Sequence, residues 1–187
     1  MNNLELIIPK ITDLWFKKEI KEDPKTMDYN AGYDLSFKGY NKLDGTIKTD
    51  IKELENVWFK NWVDNEPNKF YYYIKLNEIF IGEIYAKYVD EKASYEIGIV
   101  IKSEFRGKGY ATPAIKLLCE KLKQYGVKNL FHELPTSRVS AIKADLNNGF
   151  VVIKDNIDGI KKFGVVEKLT YLEKNFVKKH ILNTTKN

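Results

Sequence analysis

Residues Glu104 to Ile115 read EFRGKGYATPAI, and Arg106, Gly107, Lys108 and Gly109 within them have the types and spacing of an anion cradle. Glycine accepts φ > 0 and lets another molecule approach the bare backbone. A run of β-formers, YEIGIVI (Tyr95–Ile101), precedes the segment, and a helical pattern, AIKLLCEKLKQYG (Ala114–Gly126), follows it. A helix starting there presents unpaired N–H groups and a partial positive charge, which suit phosphate. Arg106 and Lys108 bring two full charges to the same point. The chemistry indicated is the holding of a phosphorylated ligand.

Other chemistries fit less well. Gly107-Lys108-Gly109 could open a G-x-G-x-x-G dinucleotide loop, but Thr112 stands at the third glycine and the motif follows an antiparallel meander. A Walker loop fails because no Gly-Lys-Ser/Thr ends the run. Cys119 shares a helical face with Ile115, Leu118 and Leu122, which reads as a core thiol rather than a nucleophile. His132 and His180 are the only histidines, too few for a zinc site or a Ser-His hydrolase. His132 ends a strand beside the expected cleft, where lining a pocket and a plain structural role are both open.

The elements that must position the junction follow from periodicity. Leu4–Ile8 reads as a strand. Lys10–Lys21 has helical spacing (Ile11, Leu14, Trp15, Lys18) and stops before Pro24. Asp28–Asp50 is rich in Gly, Asn, Asp and Tyr and reads as a long irregular segment. Asp50–Val63 is a second helix presenting Ile51, Leu54, Trp58 and Trp62. Phe70–Leu76 and Ile79–Tyr88 flank Asn77-Glu78 as an antiparallel hairpin, and Asp90-Glu91-Lys92 turns the chain into Ser94–Ile101. After the junction helix come a strand Asn129–His132, a helix Arg138–Asn148, and closing strands Phe150–Ile153 and Val165–Leu172. This order gives an α+β fold with a mixed sheet rather than a βαβ array.

At 187 residues the chain reads as one domain, 1–172, with a helical or disordered basic tail at 173–187 carrying Lys174, Lys178 and Lys179. With 43% hydrophobic and 13% aromatic residues it is a globular rather than a disordered composition. The net charge of +5 arises from 31 basic and 26 acidic residues, largely interspersed, which argues against a nucleic-acid partner. No apolar run approaches the ~18 residues of a membrane helix. The start, MNNLELIIPK, lacks the basic region of a secretory signal, and the single cysteine cannot form an internal disulfide, so a cytoplasmic location is expected.

Arg106-Gly107-Lys108-Gly109-Tyr110-Ala111 resembles the R-x-x-G-x-A signature of the GNAT superfamily of acyl-CoA-dependent N-acetyltransferases. The likeness extends upstream through EIGIVIKSEF, similar to the family's central strand. It extends downstream to SAIKADLNNGF (Ser140–Phe150), similar to its second conserved segment with the terminal Gly-Phe. It is strong over about Tyr72 to Phe150. The stretches MDYNAGYD (Met27–Asp34) and NEPNKFYYYI (Asn65–Ile74) resemble a subgroup of such enzymes.

The resemblance implies a GNAT-like mixed, mostly antiparallel central sheet flanked by helices and splayed between the fourth and fifth strands. It implies acetyl-CoA as cosubstrate without a metal, its pyrophosphate held by the amides of Arg106, Gly107, Lys108, Gly109, Tyr110 and Ala111. Gly98 would mark a bulge at the splay, and the pantetheine arm would pair with the backbone of Val100 and Ile101. The activity implied is direct acetyl transfer, in a ternary complex, to a primary amine of a small molecule or peptide. A homodimer is the candidate assembly, and no nucleic-acid or membrane partner is expected. Two departures stand out: Arg138 replaces a common asparagine, and Asp145 replaces the tyrosine that serves many members as acid. The second makes an acyl-CoA-binding regulatory module with little turnover the alternative reading.

Glu133 and Glu96 are the candidate bases. Glu133 is expected just past a strand end, before Pro135, at the cleft mouth, and stands narrowly ahead. Glu96 matches the strand position where some relatives carry a glutamate base, and Glu83 lies on the neighbouring strand. Asp28, Asp34, Asp44 and Asp50 either gather a polycationic acceptor or serve as turn and cap formers, the commoner use.

Overall fold

A computed structural model of the chain describes residues 3–176. Its seven strands are β1 (Leu4–Ile7), β2 (Lys69–Leu76), β3 (Ile79–Val89), β4 (Ser94–Ile101), β5 (Asn129–Pro135), β6 (Val151–Lys162) and β7 (Val165–Asn175). They form one sheet in the order β1-β2-β3-β4-β5-β7-β6. Every neighbouring pair is antiparallel except β4 and β5, which are parallel. The helices are α1 (Leu14–Glu22), α2 (Pro24–Met27), α3 (Ile51–Glu53), α4 (Phe59–Trp62), α5 (Ala111–Gln124) and α6 (Val139–Asn147), with a π turn at Leu54–Trp58 joining α3 to α4. No helix among the described residues is long and apolar enough to cross a membrane.

The alternation of FYYYI in β2 explains the layering. Successive strand side chains point to opposite faces, so Phe70, Tyr72 and Ile74 join one core with Ile84 and Ile97 of the sheet and Ile115, Leu118 and Leu122 of α5. Tyr71 and Tyr73 point the other way and pack with Phe16, Ile20, Met27 and Val63. Both faces of the sheet are covered around β2, the second by the α1–α4 layer. Asn77 turns the β2–β3 hairpin with a φ of 53°, a left-handed conformation that asparagine tolerates.

The ends of the elements differ from expectation in ways that move candidate residues. Strand β5 runs to Pro135, so Glu133 lies inside it, opposite Tyr171, and not past its end. Pro135 sits at the strand's final position, where a missing donor does least harm. Strand β6 is 12 residues long, far beyond the expected Phe150–Ile153. Its ribbon with β7 leaves most of its side chains exposed, so it lacks the buried alternation by which strands are read. Strand β7 carries Lys174 and ends at Asn175, past the expected boundary at 172. The rest of the expected tail from 177, with Lys178 and Lys179, lies outside the described residues.

Cys119 faces the core from α5 and is buried. Burial pushes its thiol up to about 11, with Lys174 pulling weakly the other way. The reactive thiolate is therefore scarce until the pH approaches that value. Iodoacetamide labelling at pH 8 is expected to be at least ~100-fold slower in the native protein than in denaturant, and to accelerate as the pH rises. Equal rates measured by mass spectrometry would place this thiol at the surface.

Candidate active site

Strands β4 and β5 pair only at Tyr95 with Leu130 and at Glu96 with Phe131. Beyond these pairs β4 continues to Ile101 and β5 to Pro135 without a shared ladder, so the sheet opens between them. The Lys102 N–H bonds to Ile81 O on the β3 side. Strand alternation then turns the backbone groups of Val100 toward β3 and those of Ile101 toward the opening. Of the two residues expected to meet a pantetheine arm, Ile101 has the backbone direction for it, while Val100 presents its side chain to a cavity on the α1–α4 face. Gly98 is not at a bulge, because the β3–β4 register runs unbroken from Val89–Ser94 to Gly82–Ile101. It is glycine because a Cβ there would lie 2.3 Å from Cζ of Tyr85.

The junction after β4 has the conformation its glycines suggest. Gly107 and Gly109 have φ of 73° and 83°, and nothing lies within 4 Å of a Cβ built on either. No side chain caps α5 at Tyr110, and the amides of residues 107–110 donate to no backbone acceptor among the described residues. These open donors at a helix N-terminus fit a pyrophosphate. Lys108 stands over the Phe105 ring, 5.3 Å from its centroid, with its ammonium toward solvent.

Arg106 departs from the expected role. Its amide donates to Ser103 O at 3.2 Å. Its guanidinium donates to Ile101 O at 3.0 Å, Lys25 O at 3.3 Å, Asp28 Oδ1 at 2.9 Å and Thr26 O. The side chain is a strut between the junction and α2, not a free charge for phosphate.

A cavity of about 330 Å³ lies on the α1–α4 face, within the size range of small-molecule sites. Tyr29, Phe37, Trp58, Trp62, Tyr71 and Tyr85 line it, together with Val100. The π turn places Trp58 and Trp62 nearly parallel, with centroids 6.5 Å apart. Burial, as the largest cause, holds the phenols of Tyr29, Tyr71 and Tyr85 well above the usual tyrosine range, so they remain hydrogen-bond donors at neutral pH.

At the cavity wall an ion pair is buried. Lys17 Nζ donates to Glu83 Oε1 at 2.6 Å and to Oε2 at 2.7 Å, and Tyr71 OH also donates to Oε2. The ammonium lies 5.1 Å from the Trp58 centroid and 5.2 Å from that of Tyr71. Trp15, which shares its helical spacing with Ile11, Leu14 and Lys18, is 53% exposed, while Lys17 is only 6% exposed. No local pattern announces a lysine that is buried because its partner lies 66 residues away.

Neither expected base lines this cavity. Glu133 faces a separate hollow with Tyr171 and Glu173, 3.7 Å from Lys92 Nζ. Glu96 pairs with Lys87 at 2.7 Å. It shares the cavity face of β4 with Val100, and its charge reaches the Tyr85 phenol. The four early aspartates are turn, cap and strut residues. Asp28 holds Arg106, Asp34 holds Lys42, Asp44 accepts from Thr46, and Asp50 caps α3 through Lys52 N.

His132 and Asp145 are brought together as a pair the sequence did not reveal. His132 follows Phe131, the last β5 residue joined to β4, so it stands where the sheet opens. Its Nδ1 lies 2.9 Å from Oδ2 of Asp145, which is fully buried and whose Oδ1 has no partner among the described residues.

The buried pair makes a testable demand. Removing one member leaves the other charge buried alone, so Glu83→Gln is expected to destabilise the protein by about 3–5 kcal/mol in chemical denaturation. Lys17→Met combined with Glu83→Leu should cost less than Glu83→Gln alone. A single substitution as mild as the double would show that water reaches the pair.

The sequence model of the acetyltransferase (GNAT) family matches residues 33–144, more than half of the chain. Among solved structures, a spermidine N-acetyltransferase from Vibrio cholerae in complex with CoA and spermine superimposes with a TM-score of 0.71 at 16% identity, over 92% of this chain and 95% of that one. A GNAT-family acetyltransferase from Bacillus anthracis gives 0.69 at 15% identity, over 94% and 98%. No curated protein matches. The family match falls on the opened β4–β5 pair and the junction after it, and the chain therefore belongs to the acetyltransferase (GNAT) family.

Proposed function

We propose that the protein transfers an acetyl group from acetyl-CoA to a primary amine of a small molecule or peptide by direct attack in a ternary complex. One observation carries this reading: junction, opened sheet and aromatic cavity lie along a single strand, β4. Open amides follow its end, Ile101 turns its backbone to the opening, and Val100 reaches the cavity. Their adjacency supports neighbouring places for phosphate, thioester and acceptor.

Within the site, amides 107–111 hold the pyrophosphate, and a backbone N–H of β4 polarises the thioester carbonyl as charge develops. Glu96 takes the amine proton. It is better placed than Glu133, being on the cavity face and near Tyr85. His132, oriented by Asp145, returns a proton to the leaving thiolate in place of the tyrosine this chain lacks. Cys119 is buried, with its thiol held above the usual range, which argues against an acyl-enzyme route. The neighbour bound to spermine makes polyamines acceptors to test, but the four aspartates that would gather one are engaged elsewhere. Cys119 as a free thiol fits a cytoplasmic location.

Acetyl-CoA at ~100 times its dissociation constant is expected to stabilise the fold by roughly 2.7 kcal/mol, visible as a raised melting temperature. Gly109→Val should remove that shift. Nothing lies within 4 Å of a Cβ there, so its cost to the apo protein is the strain of a β-branched residue at a φ of 83°. A control melt of the unliganded variant checks that it folds. A retained shift would place the phosphate elsewhere.

Thiol release from acetyl-CoA across an amine panel separates the enzyme from an acyl-CoA-binding regulatory module, which would release none. With an accepted amine, Glu96→Gln should lower kcat by roughly 10²–10⁴-fold, the loss shrinking at high pH where the amine deprotonates itself. Glu133→Gln should stay near the wild-type rate. The reverse pattern would return the base to Glu133.

A further inference from the structure

The charges lining the aromatic cavity do not balance. Two ammonium groups, Lys17 and Lys21, face one carboxylate, Glu83. Three of the roughly four acceptor positions of that carboxylate are filled, by Lys17 twice and Tyr71 once. An incoming ammonium would find little free acceptor there. The ammonium of Lys21, by contrast, makes no hydrogen bond or ion pair among the described residues, although its side chain is only partly exposed. Lys21 Nζ is only half-buried and is not a sealed orphan, but the protein supplies it no acceptor among the described residues, so a ligand oxygen would replace part of its lost hydration.

We propose that Lys21 forms an anion subsite, so that the acceptor is an amine with a flat apolar body and a carboxylate or phosphate, rather than a polyamine. The subsite rests on reading the cavity as the acceptor site. The rings of Trp58, Trp62 and Tyr85 supply faces for the body, while Lys17 and Glu83 neutralise one another. Lys21 also borders a smaller groove holding Lys38, Lys48 and Glu53. There Lys38 approaches Glu53 at 3.9 Å, and Lys48 adds a further positive charge. Burial and then Lys17 push the Lys21 ammonium down to about 8, against weaker opposing pulls from Glu83 and Glu53. An anion seated beside it would reverse that loss and gain a charge-assisted hydrogen bond.

Calorimetry with phenylacetate, phenyl phosphate and the neutral isostere 2-phenylacetamide tests the subsite, with coenzyme A saturating so that its own phosphates are not the anion detected. The wild-type protein is expected to bind at least one of the two anions at least ~10-fold more tightly than the amide, the pair showing which anion it prefers. Lys21→Met should bring that ratio to about one, and Lys21→Arg should keep it, separating charge from packing. Equal wild-type affinities for anions and amide, or a preference that survives Lys21→Met, would overturn the proposal. Binding is read without turnover. A preference for anions in a protein that acetylates no amine would leave the subsite standing and remove the transferase reading, whereas equal kcat/KM for anionic and neutral amines would do the opposite.

Discussion

The buried contact between Lys17 on α1 and Glu83 on β3 is the constraint around which the cavity is built. Removing two charges from water costs several kcal/mol each, and attraction between them offsets this only when geometry and hydrogen bonding are good. Here both carboxylate oxygens receive the ammonium, Tyr71 adds a third donor, and two rings cover the cation. Those requirements tie α1 and the π turn that carries Trp58 to β3 and to Tyr71, whose facing strand alternation sets. Glu83 lies opposite Val100 in the β3–β4 register. The pair therefore also sets where the cavity meets the opened strand.

Arg106 plays a corresponding part at the junction. Its donors bind carbonyls of Ile101, Lys25 and Thr26 and the carboxylate of Asp28, tying α2 to the loop that follows β4. The β6–β7 ribbon reaches the same region from the other side, with Phe163 N bonded to Gly32 O and Lys162 Nζ to Tyr29 O. A segment with little regular structure becomes a defined wall because polar contacts from separate parts of the fold hold it. The price of this arrangement is that its aspartates and the signature arginine are no longer free to meet a ligand.

Of the two positions where the sequence departs from the resemblance, Asp145 is the one buried beside the opened sheet. Where the resemblance implies a tyrosine, Asp145 instead bonds His132 of β5, Oδ2 lying 2.9 Å from Nδ1. The unpartnered Oδ1 of Asp145 is a buried polar atom whose desolvation nothing in the described residues offsets.

What the sequence determined by itself was local. The β-run YEIGIVI, the glycines at 107 and 109 and the helix after them specify a strand, a left-handed turn and an uncapped helix start, since φ preference and periodicity are properties of neighbouring residues. The alternation in FYYYI likewise wrote the two-faced burial of β2. The extent of β6 was not legible, because a ribbon exposed on both faces needs no apolar alternation. Tertiary structure alone decided which charges would be buried, paired or left open. Lys17 and Lys21 look alike along α1, yet one meets Glu83 and the ammonium of the other makes no hydrogen bond or ion pair among the described residues. Glu133 and Glu96 look alike as strand glutamates, yet one borders a hollow with Tyr171 while the other pairs with Lys87 on the opposite strand. Charge pairing acts through space across tens of residues of chain, and no short-range pattern encodes it.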